Sequence, residues 1–77
     1  MEQIFNRLNE VFRDIFDDPT LTVREETTAA DVPGWDSLTH ITLLAAIEDE
    51  FNITFAMKDV VAMKNVGDLA RVIEAAI

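Results

Sequence analysis

No cysteine occurs in this 77-residue chain, and in so short a polypeptide that omission decides how folding can be stabilised. Disulfide staples are excluded, as is thiolate chemistry for covalent catalysis. A domain near 60 residues buries only about 60% of the surface its unfolded chain exposes, so the core must be small. Stability has to come from helix packing. The apolar fraction of 49% argues against intrinsic disorder, and one self-folding domain over 1–77 is expected. A reducing compartment is compatible with this composition.

Helical spacing dominates the pattern. Ile4, Leu8, Val11, Phe12 and Ile15 recur at three- and four-residue steps, with Phe5 and Phe16 beside the stripe, which predicts a first helix over about 2–16. Asp17-Asp18-Pro19 should end it, because the residue before a proline is pushed out of the α region. From 17 to 36 no periodic pattern persists, and Pro19, Pro33 and Gly34 punctuate the stretch. A loop of that length is uncommon unless it is functional or pinned by its own apolar residues. Leu21, Val23 and Val32 are the expected pins. A tight hairpin is disfavoured, since nothing alternates cleanly and no Asn-Gly or Asp-Gly turn occurs.

The second helix should run over about 37–50, and it is apolar across too wide an arc for one stripe. At about 100° per residue, Leu43, Ile47 and Phe51 share the core side. Leu38, Ile41 and Ala45 share another side adjoining Ser37, with Glu48 and Asp49 further along. That side is either an exposed apolar patch with an acidic end, of the kind that marks protein contacts, or a surface roofed by the long loop. Spacing alone does not separate the two. Beyond Phe51, Ile53 and Phe55 can point inward from a short connection, and 58–63 reads as one short helix or turn. The last helix should begin at Asn65, an N-cap with Asp68 three residues on in a capping-box-like arrangement. Leu69, Val72, Ile73 and Ala76 would form its inward stripe. The expectation is an all-α fold, a small four-helix bundle of three main helices and a short third one, with a long loop between the first two.

Fifteen acidic residues against six basic ones give a formal net charge of −9, which repels nucleic acid and anionic membranes and attracts basic protein surfaces. Plain solubility would account for the same charge. No stretch approaches the roughly 20 apolar residues of a membrane span, and Met1-Glu2-Gln3 lacks the basic flank of a signal peptide, so a cytoplasmic location is expected. Asp17-Asp18, Glu25-Glu26 and Glu48-Asp49-Glu50 do not match a calcium-binding loop with its central glycine and terminal glutamate, and no metal site is expected. His40 stands about one turn from Ser37, but the Gly-x-Ser-x-Gly elbow and an orienting acid are lacking. No catalytic residue is therefore assigned, and the chain is not read as an enzyme. Trp35 reads as an anchor for the loop, Met57 and Met63 as core or rim residues.

Gly34-Trp35-Asp36-Ser37-Leu38 is the stretch that carries chemistry. Asp36 is a favoured N-cap, which puts Ser37 at the first helical position, hydroxyl outward, beside unpaired amides and the positive end of the helix macrodipole. A phosphate ester suits that location. These residues resemble the attachment site of the discrete acyl carrier proteins, and the similarity continues through Glu48-Asp49-Glu50-Phe51 and Asn65-Val66-Gly67-Asp68-Leu69 without evident gaps.

The resemblance implies that a phosphopantetheinyl transferase modifies Ser37 with a phosphopantetheine arm from coenzyme A, whose thiol holds an acyl group as a thioester. It implies that Asp36 both caps the helix and faces the transferase near the metal that enzyme uses. It also implies that Leu38, Ile41, Ala45, Glu48 and Asp49 meet ligases, synthases or transferases of fatty acid or polyketide biosynthesis through basic surfaces, the carrier working as a monomer. Thr39 and Thr42 stand where the carriers of fatty acid synthesis usually have acids, Lys58 and Lys64 add positive charge to a segment commonly acidic, and Trp35 sets a large aromatic beside the serine. A carrier for a specialised pathway is therefore expected. Leu43, Ile47, Phe51, Val60, Val61 and Met63 are the candidates to line a space for an acyl chain. Alternatives are a cofactor-free acidic interaction domain and an aminoacyl or peptidyl carrier of peptide synthesis.

Overall fold

A computed structural model describes residues 1–77 as four helices: α1 (Glu2–Ile15), α2 (Ser37–Phe51), α3 (Met57–Ala62) and α4 (Val66–Ala76). A single 3-10 turn at Ala29–Asp31 interrupts the long connection between α1 and α2, and there is no strand. This is the small helical bundle expected from the spacing.

The stripe of α1 delivers Ile4, Leu8, Val11 and Phe12 to the core, with Ile15 half-buried at its end. They meet Leu43, Ile47 and Phe51 of α2 and Val66, Leu69, Ala70 and Ile73 of α4 in one cluster. Each large apolar side chain so enclosed contributes roughly 1.5–3 kcal/mol. The inward face of α4 differs from the expectation. Val66, Leu69, Ala70 and Ile73 fall at the i, i+3, i+4, i+7 positions of one stripe, which leaves Val72 half-buried on the flank and Ala76 exposed in the last turn. α3 buries no residue, and Met57 is 76% exposed, neither core nor rim. Ile53, Phe55 and Met63 are half-buried against the cluster.

Proline does not end α1. Asp17 adopts a left-handed conformation (φ 52°), its N–H donates to the Asp14 carbonyl, and the Asp18 N–H reaches back to Arg13 at 3.0 Å. That pair of bonds is a Schellman stop, which completes before Pro19 can act. Asn52 (φ 55°) also closes α2 through a left-handed residue, its own N–H and that of Ile53 both donating to the Glu48 carbonyl.

Val23 and Val32 are buried and Leu21 half-buried, as expected of pins, but polar bonds hold the loop as well. Asn9 and Arg13 stand one turn apart on α1. Asn9 Oδ1 accepts from the Val23 N–H at 2.7 Å, and Arg13 Nε donates to the Leu21 carbonyl at 2.6 Å. At the far side, the N–H groups of Val66 and Gly67 donate to the carbonyls of Thr27 (2.8 Å) and Glu25 (2.9 Å). These bonds satisfy two of the donors that a helix start leaves open and fix the loop to α4.

Candidate functional site

α2 begins at Ser37 because Asp36 closes its first turn. Asp36 is extended (φ −122°, ψ −173°), and its Oδ1 accepts from the N–H groups of Leu38 (3.1 Å) and Thr39 (2.9 Å). Thr39 answers in kind, its Oγ1 accepting from the Asp36 N–H at 2.8 Å to complete a capping box. The Thr39 hydroxyl lies within donating reach of both the Gly34 carbonyl (2.7 Å) and Asp36 Oδ1 (2.8 Å), and its one proton serves one of them at a time. The Thr39 N–H above all, then the Thr39 hydroxyl and the Leu38 N–H, hold the Asp36 carboxyl below the usual aspartate range. Asp36 is therefore an anion committed to the helix end. Two of the amides expected to be open beside Ser37 are already taken.

Ser37 is exposed at the first position of α2, as the sequence predicts. It belongs to the lining of a cavity of about 390 Å³. Trp35, His40 and Leu44 form one part of that lining, and Met63, Lys64 and Leu69 of the α3–α4 region form another. Of the six residues expected to line a space for an acyl chain, only Met63 does so here. Leu43 and Ile47 are fully enclosed in the core shared with α1, and Val61 is 78% exposed.

Trp35 is the anchor that the sequence predicts. Its ring meets Phe12 edge-on (centroids 5.3 Å apart, 75° between planes) and lies 6.1 Å from Phe16, while Gly34 supplies the left-handed turn (φ 88°) that precedes it. Its indole N–H donates to His40 Nδ1 at 3.0 Å, with the two rings stacked at 26°. His40 is thus paired with the tryptophan, and its Nδ1 is an occupied acceptor. A serine–histidine pair is not formed.

Leu38 and Ile41 are 76% and 68% exposed and Ala45 is exposed too, so the loop does not roof this side of α2. Glu48, however, is half-buried, and its carboxylate accepts from the Phe55 N–H at 2.8 Å. Of the acidic end, Asp49 remains exposed. No group of three or more His, Asp or Glu side chains converges to hold a metal ion, and no helix is long and apolar enough to cross a membrane.

Sequence reasoning missed Asn9, Arg13 and Gly67 as loop anchors. The signal for the first two was a polar pair four residues apart on a helix flank, and for Gly67 a glycine in a first turn with no turn of its own to make. Thr39, which stands where the resemblance leads one to expect an acid, builds the cap.

Comparison with known proteins agrees with this geometry. Residues 6–73 match the family model described as the phosphopantetheine attachment site. The chain is similar to acyl carrier protein 3 of Ralstonia nicotianae, with 30% identity over 74 residues that cover 96% of this chain and 85% of the relative. Its fold is similar to the solution structure of holo acyl carrier protein from Geobacter metallireducens, with a TM-score of 0.88 and 38% identity across 94% of this chain and 83% of the other.

Proposed function

Because the chain belongs to the acyl carrier protein family and so bears a covalent phosphopantetheine, we propose that Ser37 is the residue that carries it. The observation behind this assignment is an exposed hydroxyl at the first position of α2, beside a cap that fixes the helix end and at a cavity able to receive a flexible group. As a carrier the chain performs no catalysis of its own; the arm supplies the terminal thiol on which an acyl group is held as a thioester. A transferase installs the arm, and partner enzymes act on the load.

Asp36 has two roles in this reading. Its bonds to Leu38 and Thr39 hold Ser37 at a fixed post, and one unbonded carboxylate edge remains to face the transferase. Leu38, Ile41 and Ala45, with Asp49 and the partly occupied Glu48, form the face offered to ligases, synthases or transferases with basic surfaces. The first turn of α2 carries no acid, so the apolar part of that face outweighs the ionic part. This composition supports a specialised pathway, with acyl, aminoacyl and peptidyl loads all compatible; a cytoplasmic monomer as the working form is part of the same proposal. The cofactor-free alternative is set aside on family membership.

Intact mass after incubation with coenzyme A and a phosphopantetheinyl transferase tests the assignment. The wild type should gain one arm, and Ser37→Ala should gain none while keeping its helical circular dichroism. Modification of a folded Ser37→Ala variant would move the site elsewhere.

A further inference from the structure

The start of α2 leaves an electrostatic problem for any phosphodiester on Ser37. Asp36 Oδ1 already takes the N–H groups of Leu38 and Thr39, so the helix end cannot also give them to a phosphate. An ionised carboxylate stands one residue away, in a chain whose net charge is −9 before any modification. At this exposed site water and salt screen much of the added negative charge, and a cation on another element can offset part of the rest.

Few bases are free to answer. Arg7 pairs with Glu50, Arg71 pairs with Asp68 and Glu25, and Arg13 is bonded to the loop. Lys64 differs from these. Of the three remaining bases, Arg24, Lys58 and Lys64, it is the one that lines the cavity Ser37 also lines, from the α3–α4 connection. The nearest acid in sequence, Asp68, is bonded at 2.8 Å by Arg71 and at 3.0 Å by the backbone N–H of Lys64; the Lys64 ammonium helps to depress that carboxyl from a distance but makes no salt bridge with it. His40, on the same lining, has its Nδ1 occupied as the acceptor for Trp35.

Resting on Ser37 as the attachment point, we propose that Lys64 is the counter-ion of the phosphodiester and biases the root of the arm across the cavity, over Met63 and Trp35, rather than out to solvent. The role is to bind and orient, with no bond made or broken. The contact is solvent-exposed and therefore screened, so its effect on the arm's distribution is roughly 1.5- to 5-fold. That size suits a group that must leave again for each partner.

The test is nuclear magnetic resonance on apo and holo forms of the whole chain, with arm attachment at Ser37 verified first by mass. Arm attachment should move the Lys64 side-chain signals and those of the 63–65 amides, and arm protons should show contacts to the Met63 methyl and the Trp35 indole. Those contacts should weaken in Lys64→Gln, persist in Lys64→Arg and in Lys58→Gln, and fade in about 1 M salt, where the screening length is about 3 Å. Holo protein with unmoved Lys64 signals, or with identical arm contacts in wild type and Lys64→Gln, overturns the proposal while leaving Ser37 as the carrier residue. Absence of arm mass at Ser37 overturns both.

Discussion

Gly67→Ala sets two effects of opposite sign against each other, and the structure decides between them. Alanine in place of glycine within a helix gains up to about 1 kcal/mol from propensity alone. Here the new Cβ would stand 2.9 Å from the Glu25 carbonyl oxygen and 3.2 Å from both Glu25 Cβ and Asn65 Oδ1. The nearest of these is backbone, which cannot rotate away, so the loop must lift. Lifting it strains the Gly67 bond to Glu25 and the neighbouring Val66 bond to Thr27, each contributing about 0.5–1.5 kcal/mol. The two bonds lost together outweigh the propensity gain, and a net destabilisation of about 1 kcal/mol is expected. In a domain of 60–100 residues that corresponds to a melting temperature lowered by about 4–8 °C. Urea denaturation gives the free energy, and amide exchange at Val66 and Gly67 should report the opened bonds. A Gly67→Ala variant more stable than the wild type, with those two amides still protected, would refute the reasoning.

Three other outcomes follow. Asp36, Asp18 and Asp68 all have carboxyls held below the ordinary 3.8, by the Thr39 N–H, the Thr20 hydroxyl and the Arg71 guanidinium respectively. A depressed folded-state value means that the stabilisation is complete above 3.8 and is lost as pH falls below it through the lowered values. Carbon-detected titration of Asp36 should therefore give a midpoint under 3.8, and a midpoint at or above it would contradict the capping geometry. Trp35→Phe retains the ring contacts with Phe12 and Phe16 but removes the donor to His40, which should cost about 0.5–1.5 kcal/mol and shift the His40 Nδ1 resonance. Leu38→Ser with Ile41→Ser should change stability by no more than about 0.5 kcal/mol per site, because both side chains are exposed, yet slow arm transfer and loading; unchanged rates would remove this face from the docking surface.

Much of the fold was legible because the signals were periodic and local. The α1 stripe, the start of α2 at Asp36-Ser37 and the Asn65 cap all rest on interactions within four residues, which a linear sequence records directly. What escaped was set at a distance. The loop is fixed by Asn9 and Arg13 reaching to Val23 and Leu21, and by Glu25 and Thr27 receiving the start of α4, bonds between residues 8 to 42 positions apart whose partners carry no pattern. The same cause decides where the cavity lies. Helical spacing correctly sent Leu43 and Ile47 inward, but whether an inward residue meets a solid core or an opening depends on what α1 and α4 bring to it. Even the capping of α4 shows the limit. Asn65 accepts from the Asp68 N–H as expected, whereas the Asp68 carboxylate bonds the Lys64 N–H, one residue earlier than a capping box requires.

The arrangement around Ser37 divides rigidity from reach. The post is overdetermined: a capping box between Asp36 and Thr39, and an indole that is wedged against Phe12 and Phe16 and bonded to His40 one turn into α2. Rotating Ser37 away would break several of these contacts at once. By contrast, α3 buries no residue and presents Met57 and Val61 to solvent. With so little core to anchor it, α3 is the least tethered of the four helices, and Met63, its C-cap, is what joins it to the cavity beside Ser37. A carrier needs its attachment point in a constant position for many enzymes and its load in a variable one. With Ser37 as the proposed attachment point, the first requirement is met by the bonds around residue 37, and the second by the exposure of that residue, which leaves a flexible arm free to move.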